Sequence, residues 1–224
     1  MAADNTVLDF LLTRRSRPVK LMRPPAPGRD ELVTLLTAAT RAPDHGKLEP
    51  WRFIVLRDAG QARFAAAIRA RAAATGQDPD KGASAFEQAP LSVAVVAVPR
   101  DATKIPAIEQ TLSAGAVCLG LLNAALAAGW GAAWLTGWPA YDPELLAEAL
   151  GLAPGEWIAG FVHLGTSDAA PPDRPRPDVP ALVTWAEARA SSWISGGRSA
   201  TSAIRGSAAC CCGRCCWCSR RWRR

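Results

Sequence analysis

The chain is 224 residues long, 49% hydrophobic and 21% charged, proportions that describe one soluble, core-forming domain with room for an appendage. A fully disordered chain, a collagen and a small disulfide scaffold are excluded. The formal net charge of +6 belongs to the end of the chain: residues 190–224 hold seven arginines and no Asp or Glu, so the body before them is near neutral and no nucleic-acid partner is expected for it.

No targeting segment is read at the start, because Asp4 and Asp9 fall where the apolar core of a signal peptide would lie. The first helix is announced by Asn5 or Thr6 as N-cap, with Thr6 and Asp9 at capping-box spacing and Val7, Leu8, Leu11 and Leu12 forming an apolar stripe. It is expected to fray near Arg15 and Ser16. After a Pro-rich connection from Pro18 to Pro27, Asp30 caps a second helix carrying Leu32, Leu35, Leu36 and Ala39, and Pro43 stops it after Arg41. A polar turn, Ala42 to Pro50, leads to strand character over Trp51 to Leu56 and a helix over Ala62 to Ala74. Leu91 to Val98 is a continuous β-branched run of the kind found in a strand covered on both faces.

Ile105 to Ala128 is apolar nearly all round, with Pro106 at its start and Gly129 at its end, and predicts a helix buried on most sides. The wider run Leu112 to Leu135 is long enough to cross a bilayer. Gly129 and Gly131 interrupt it, however, and no Lys or Arg flanks its C-terminal end. A core helix running into a strand over Gly131 to Thr136 is therefore preferred, and no membrane partner is expected. A short helix over Pro143 to Leu150, ended by Gly151, and a last strand over Trp157 to Gly165 complete an α/β or α+β sandwich with helices on a central sheet. Ala169 to Pro180, with five prolines, reads as an extended arm.

GxGxxG, P-loop, GxSxG and HExxH motifs are all absent, and His45 and His163 are the only histidines, so a catalytic triad or a His-based metal site is poorly supplied. Three clusters remain. Arg14, Arg15, Ser16 and Arg17 follow the opening helix, where they either complement its negative end or grip a phosphate with planar guanidinium forks. Arg41, Asp44, His45 and Lys47 crowd a turn between helix and strand that is either a site or an ordinary polar connection. Gly129 to Gly137 combines glycines, which let backbone approach a planar ligand, with Trp134, which adds apolar surface; alone it could also be a core corner. His163, in an apolar strand, reads as a core residue.

In this order and spacing the clusters resemble the nitroreductase family of FMN-dependent oxidoreductases, most nearly its compact bacterial NAD(P)H nitroreductase branch. The likeness is carried by Arg14-Arg15-Ser16, Arg41-Ala-Pro-Asp-His45 with Pro50-Trp51, Ser113-Ala-Gly115, Gly129-Trp-Gly131 through Thr136, and Phe161 to Thr166. It implies an α+β sandwich with a central, mainly antiparallel sheet flanked by helices, in a domain-entwined homodimer with two FMN molecules at the subunit interface. It also implies that Arg14, Arg15 and Ser16 hold the FMN phosphate and ribityl end from one subunit, while Arg41 and His45 reach the same flavin from the other. Trp134, Leu135 and Thr136 would run beside the isoalloxazine ring, and Ala124, Ala125, Leu126, Ala127, Ala128 and Gly129 match a stretch associated with NADH or NADPH. Arg174 or Arg176 would add a phosphate contact. The implied reaction is ping-pong: NAD(P)H reduces FMN and leaves, then a nitroaromatic, quinone or similar electron-poor small molecule takes two electrons, with no catalytic acid or nucleophile from the protein. This chain departs from the family pattern at Asp44, Lys47 and Glu49, and at Leu135, where the branch commonly has a polar or basic residue.

Six of the seven cysteines, Cys210, Cys211, Cys212, Cys215, Cys216 and Cys218, lie in the last stretch and leave Cys118 alone in the body, as in a reduced, cytoplasmic protein. The overlapping CxxC spacing of Cys212, Cys215 and Cys218 suits zinc or an iron-sulfur cluster, and the arginines with Trp217 and Trp222 suit nucleic acid. No second separated CxxC and no histidine accompany them. The preferred organisation is an FMN-binding domain over 1–189 and a tail over 190–224 that is unstructured or the product of a shifted reading frame, with no metal site. The alternative to an enzyme is a non-catalytic flavin-binding protein of the same fold, or metal or nucleic-acid binding through the tail.

Overall fold

The run Leu-Ser-Val-Ala-Val-Val-Ala cannot turn either face to water, and in the structure, a computed structural model that describes residues 6–168 and 171–186, all seven residues of this strand are buried. The strand, Leu91–Ala97, is one of four: β1 (Trp51–Arg57), β2 (Leu91–Ala97), β3 (Gly131–Leu135) and β4 (Trp157–Gly165). They form one sheet in the order β1-β2-β4-β3, every neighbouring pair antiparallel. β2 and β4 occupy the middle because both are apolar on both faces. β1 and β3 are the edges.

Seven α-helices are described: α1 (Thr6–Thr13), α2 (Arg29–Ala39), α3 (Asp58–Thr75), α4 (Pro79–Gln88), α5 (Ala107–Ala127), α6 (Pro143–Leu150) and α7 (Val179–Leu182). On one face of the sheet α2 and α5 pack Leu32, Leu35, Val117 and Leu121 onto Val93, Val95 and Val162. Gly120 of α5 makes this crossing tight, since a Cβ there would lie 2.9 Å from the carbonyl oxygen of Ala39. On the other face α3, α4 and α6 pack Phe64, Ile68, Phe86 and Leu145 onto Ala94, Val96, Ile158 and Phe161. Phe64, Phe86 and Phe161 meet there with ring centroids 4.9 to 5.8 Å apart. The α+β sandwich with a central antiparallel sheet and helices on both faces is thus as expected. A second unit begins at Pro175, and α7 is its one described helix. The Cys/Arg-rich end, with its cysteine motif and its expected disorder, lies outside the described residues.

Four local expectations change. Asp30 is not the cap of α2: Gly28 stands at the N-cap, with no side-chain bond, and Asp30 lies inside the first turn, where a carboxylate still complements the helix dipole. α4 has no counterpart in the sequence reading, although Asp78 caps it by accepting from the backbone N–H groups of Asp80 and Lys81 and Pro79 opens its first turn. α5 is buried along one stripe rather than on most sides, for Ile108, Leu112 and Leu119 are 60%, 66% and 41% exposed. Long and apolar enough by itself to cross a membrane, α5 ends at Ala127, is followed by a strand, and packs that stripe against the sheet. The stripe of α1 is not buried by the described residues: Val7, Leu8, Leu11 and Leu12 are all exposed.

Ser92 of β2 and His163 of β4 stand opposite each other in register, both buried, with Ser92 Oγ 2.7 Å from His163 Nδ1 and the Phe86 ring edge-on at 5.0 Å. Burial pushes the imidazole down from 6.5 to about 4. The folded chain therefore refuses a proton that the unfolded chain accepts, and stability falls as pH drops from about 6.5 toward about 4. Denaturant titrations are expected to find about 2 kcal/mol less stability at pH 5 than at pH 7 from this group, and His163→Leu to flatten that part of the profile. A second constraint lies three residues earlier. The β2–β4 register shifts between Val95 and Val96, so Ala159 is an extra residue and Gly160 sits under the Trp134 indole, where a Cβ would overlap the ring. Gly160→Ala must displace Trp134 and is expected to cost about 1–3 kcal/mol, read as a lower melting temperature.

Candidate functional site

The opening helix closes on itself before its arginines begin: Thr13 Oγ1 donates to the carbonyl of Asp9 (2.6 Å) and Arg14 N–H to that of Phe10 (2.7 Å). The cations that follow lie at the negative end of α1. Arg17 N–H then donates to the carbonyl of Ala132 (2.8 Å), which fastens this stretch to the free edge of β3. Arg14 and Arg15 are half-buried and Ser16 is exposed. Arg15 Nη1 donates to Asp173 Oδ1 at 2.9 Å and to the carbonyl of Pro172, so the Pro-rich arm engages the first cluster at this point. Arg14 and Arg17 enter no ion pair among the described residues.

β3 ends on the third cluster. Trp134 is half-buried on the α2/α5 face, while Leu135, 39% exposed, and Thr136 emerge at the strand's end. The first and third clusters thus share one sheet edge. Ala124 to Gly129 form the last turn of α5 and its exit: Ala125 is fully buried, and Ala127, Ala128 and Gly129 are exposed. The exit is fixed from α2 by Glu31, whose carboxylate accepts the Trp130 indole N–H at 2.7 Å.

The second cluster lies at the other edge, in the connection from α2 into β1. Two of its residues hold uncommon backbone, with φ of 54° at Lys47 and 47° at Glu49. Asp44 braces this strain by accepting from the backbone N–H groups of Leu48 (3.2 Å) and Glu49 (2.8 Å). Gly46, at φ 76°, takes the left-handed backbone that favours glycine, with Ile105 Cδ1 2.5 Å from where a Cβ would be. His45 is exposed and its Nδ1 lies 2.6 Å from Glu109 Oε2. Arg41 is exposed. Three strand spacings of roughly 4.8 Å separate the two edges, so one chain does not bring Arg41 and His45 together with Arg14 to Ser16 and Trp134 to Thr136.

Glu109 and Asp173, the carboxylates that engage His45 and Arg15, were not found by reading the sequence. Glu109 had one available signal, since it precedes Ser113 by four residues and shares its helix face. Asp173 had none, being 158 residues from Arg15. Among the described residues no group of three or more His, Cys, Asp or Glu is placed to hold a metal. The donor set at the β3 edge, guanidinium forks with a hydroxyl, is of the kind that binds a phosphate monoester.

The family model described as "Nitroreductase family" matches residues 11–166. Over 162 residues the chain is 38% identical to "Putative NAD(P)H nitroreductase YdjA" of Escherichia coli K12, an alignment covering 71% of this chain and 87% of that protein. Over 164 residues it is 34% identical to "Putative NAD(P)H nitroreductase" of Haemophilus influenzae, again over 71% and 87% of the two chains. Its fold superimposes on the nitroreductase-like family protein of Bacillus cereus with a TM-score of 0.70 at 25% identity, over 84% of this chain and all of that one. The crystal structure of a "putative nitroreductase in complex with FMN" of Desulfovibrio desulfuricans gives a TM-score of 0.65 at 24% identity, over 82% of this chain and 98% of that one, and speaks to the fold alone. With its matched span running from within α1 to the end of β4, through all three clusters, the chain belongs to the nitroreductase family of oxidoreductases.

Proposed function

We propose that the chain is a cytoplasmic, FMN-dependent NAD(P)H oxidoreductase that works as a homodimer, with each flavin held between two copies. The observation that carries this reading is the division of the motif between opposite edges of the sheet, for a second copy is what supplies Arg41 and His45 to the edge that carries Arg14 to Ser16 and Trp134 to Thr136. The exposed apolar residues Val7, Leu11 and Leu12 of α1 and Ile108 and Leu112 of α5 support it, since surfaces of this kind are buried in assemblies.

Arg14, Arg15 and Ser16 hold the phosphate and ribityl end: the guanidinium forks supply charge-assisted, paired donors, and Ser16 adds a hydroxyl. Trp134, Leu135 and Thr136 flank the ring, with Trp134 presenting apolar surface that excludes water and Thr136 a polar group at its border. Arg41 and His45 approach from the other copy. Ala124 to Gly129 form the nicotinamide side through the exposed Ala127, Ala128 and Gly129. When bound, FMN supplies hydride and electron transfer in two half-reactions, oxidising NAD(P)H in one and reducing a nitroaromatic, a quinone or a similar electron-poor acceptor in the other. The protein therefore needs no acid, base or nucleophile of its own; its task is to orient both partners and to place donors where negative charge gathers.

Purified protein is expected to show oxidised-flavin absorbance that NADH or NADPH bleaches and a quinone or nitroaromatic restores, and to sediment as a dimer. A colourless protein that FMN cannot reconstitute would overturn the reading. Arg14→Gln removes one charged donor from the phosphate, and fluorescence titration with FMN should find an affinity about 10- to 100-fold weaker.

A further inference from the structure

We propose that Glu109 is a positioning residue for His45: its carboxylate holds the proton on Nδ1 and so presents Nε2 to the flavin of the neighbouring copy. The inference rests on the functional reading above and deepens it. A carboxylate 2.6 Å from Nδ1 accepts a hydrogen bond from that nitrogen, which fixes both the ring's rotation and its tautomer. The nitrogen on the far side of the ring is then the one left for a ligand.

The pair is exposed, His45 by 61% and Glu109 by 42%, and an ion pair so open contributes little to stability. Its surroundings give it another purpose. α5 and the residue pair before it mould the whole turn: Ser113 Oγ donates to the carbonyl of Pro43 at 2.6 Å, and Ile105 fills the space beneath Gly46. Between these two holds comes Glu109, one helical turn before Ser113. Asp44, the nearest carboxylate in sequence, does not compete for the imidazole in this way, because both of its oxygens accept backbone N–H groups of the turn. The backbone at His45 is thus fixed by Asp44, Gly46 and Ser113, and Glu109 fixes the one freedom that remains, the ring itself. An imidazole left to water prefers the proton on Nε2, so the contact reverses the ordinary choice.

The test uses the full chain labelled with nitrogen-15. His45 and His163 are its only imidazoles, so two-bond nitrogen–proton correlations give two patterns, and His45→Gln identifies which one vanishes. The wild type is expected to show His45 as the Nδ1–H tautomer, Glu109→Ala to return it to Nε2–H, and Glu109→Gln, whose carbonyl still accepts from Nδ1, to keep Nδ1–H. FMN titrations of the same proteins should find binding about tenfold weaker in Glu109→Ala, nearly restored in Glu109→Gln, and no weaker in Glu109→Ala/His45→Gln than in His45→Gln alone. Melting temperatures should agree across the set, which separates positioning from folding. If the wild type binds FMN yet His45 carries its proton on Nε2, or Glu109→Ala binds as tightly as the wild type, the inference falls while the functional reading stands. If the wild type shows the Nδ1–H tautomer but binds no FMN, the functional reading falls and takes the purpose assigned to the pair with it.

Discussion

The burial of β2 on both faces is the constraint from which the rest of the arrangement follows. A strand whose seven residues are all inaccessible must have sheet on both sides and helices above and below. β4, apolar over most of its length, takes the place beside it, and the two strands with partly exposed residues, β1 and β3, are left at the rims. Loops that leave rim strands reach solvent, so the two polar motifs lie there, and the same rule that exposes them keeps them apart. The polar pair kept at the centre, Ser92 and His163, is satisfied within itself, and the remaining polar motifs are set apart at the two rims.

Charge is distributed to match. Three arginines of the α3/α4/α6 side are engaged by carboxylates: Arg52 makes a paired contact with Glu156 at 2.8 and 2.6 Å, Arg69 bridges Glu87 and Asp80, and Arg71 bridges Asp142 and Glu144. The hydrogen bond from Arg52 holds the Glu156 carboxyl below its usual range. These contacts tie the outer layer together without contributing much individually, since most of them are open to solvent. Arg14 and Arg17 belong with the arginines that have no carboxylate partner among the described residues, and what sets them apart is that they stand three positions from each other. Cations gathered and left unneutralised on a body that is near neutral overall concentrate positive potential at one place on its surface, which is what an anionic ligand requires.

The parts of this architecture legible in the sequence are those whose pattern is decided by burial within the chain. β2, β4 and α6 appear at nearly their observed bounds because short, mostly apolar runs and a Pro-to-Gly helix frame admit few alternatives. α4 was missed although Asp78 and Pro79 frame its start, because Phe86 is its one large apolar residue and its central Gly82 is set by contacts far away in sequence: a Cβ there would lie 2.7 Å from both Ile68 and Trp138. The exposure of α1 and of one side of α5 was equally hidden, since an apolar stripe announces that something covers it but not whether the cover belongs to the same chain. Of the candidate site, the arginines and the strained turn could be picked out by composition. Their carboxylate partners could not, because an i,j contact across 64 or 158 residues leaves no trace in local pattern.

Asp173 and Glu109 also differ in what their contacts do. Glu109 touches a ring whose outward nitrogen stays available, so the contact organises a group without consuming it. Asp173 touches a guanidinium directly, and the Arg15 donor it takes is one that a phosphate would use. Arg15 is only 15% exposed whereas Asp173 is 68% exposed, so most of the desolvation in this pair has been borne by the arginine, and the carboxylate can return to water at small cost. A dianionic phosphate arriving at Arg14 would compete for Arg15 with the stronger charge, with the carbonyl of Pro172 as the weaker alternative acceptor. The arm from Pro171 to Arg174 thus gives a half-buried cation an exposed carboxylate and a carbonyl as partners, while the Arg17 bond to Ala132 holds the stretch at the edge of β3.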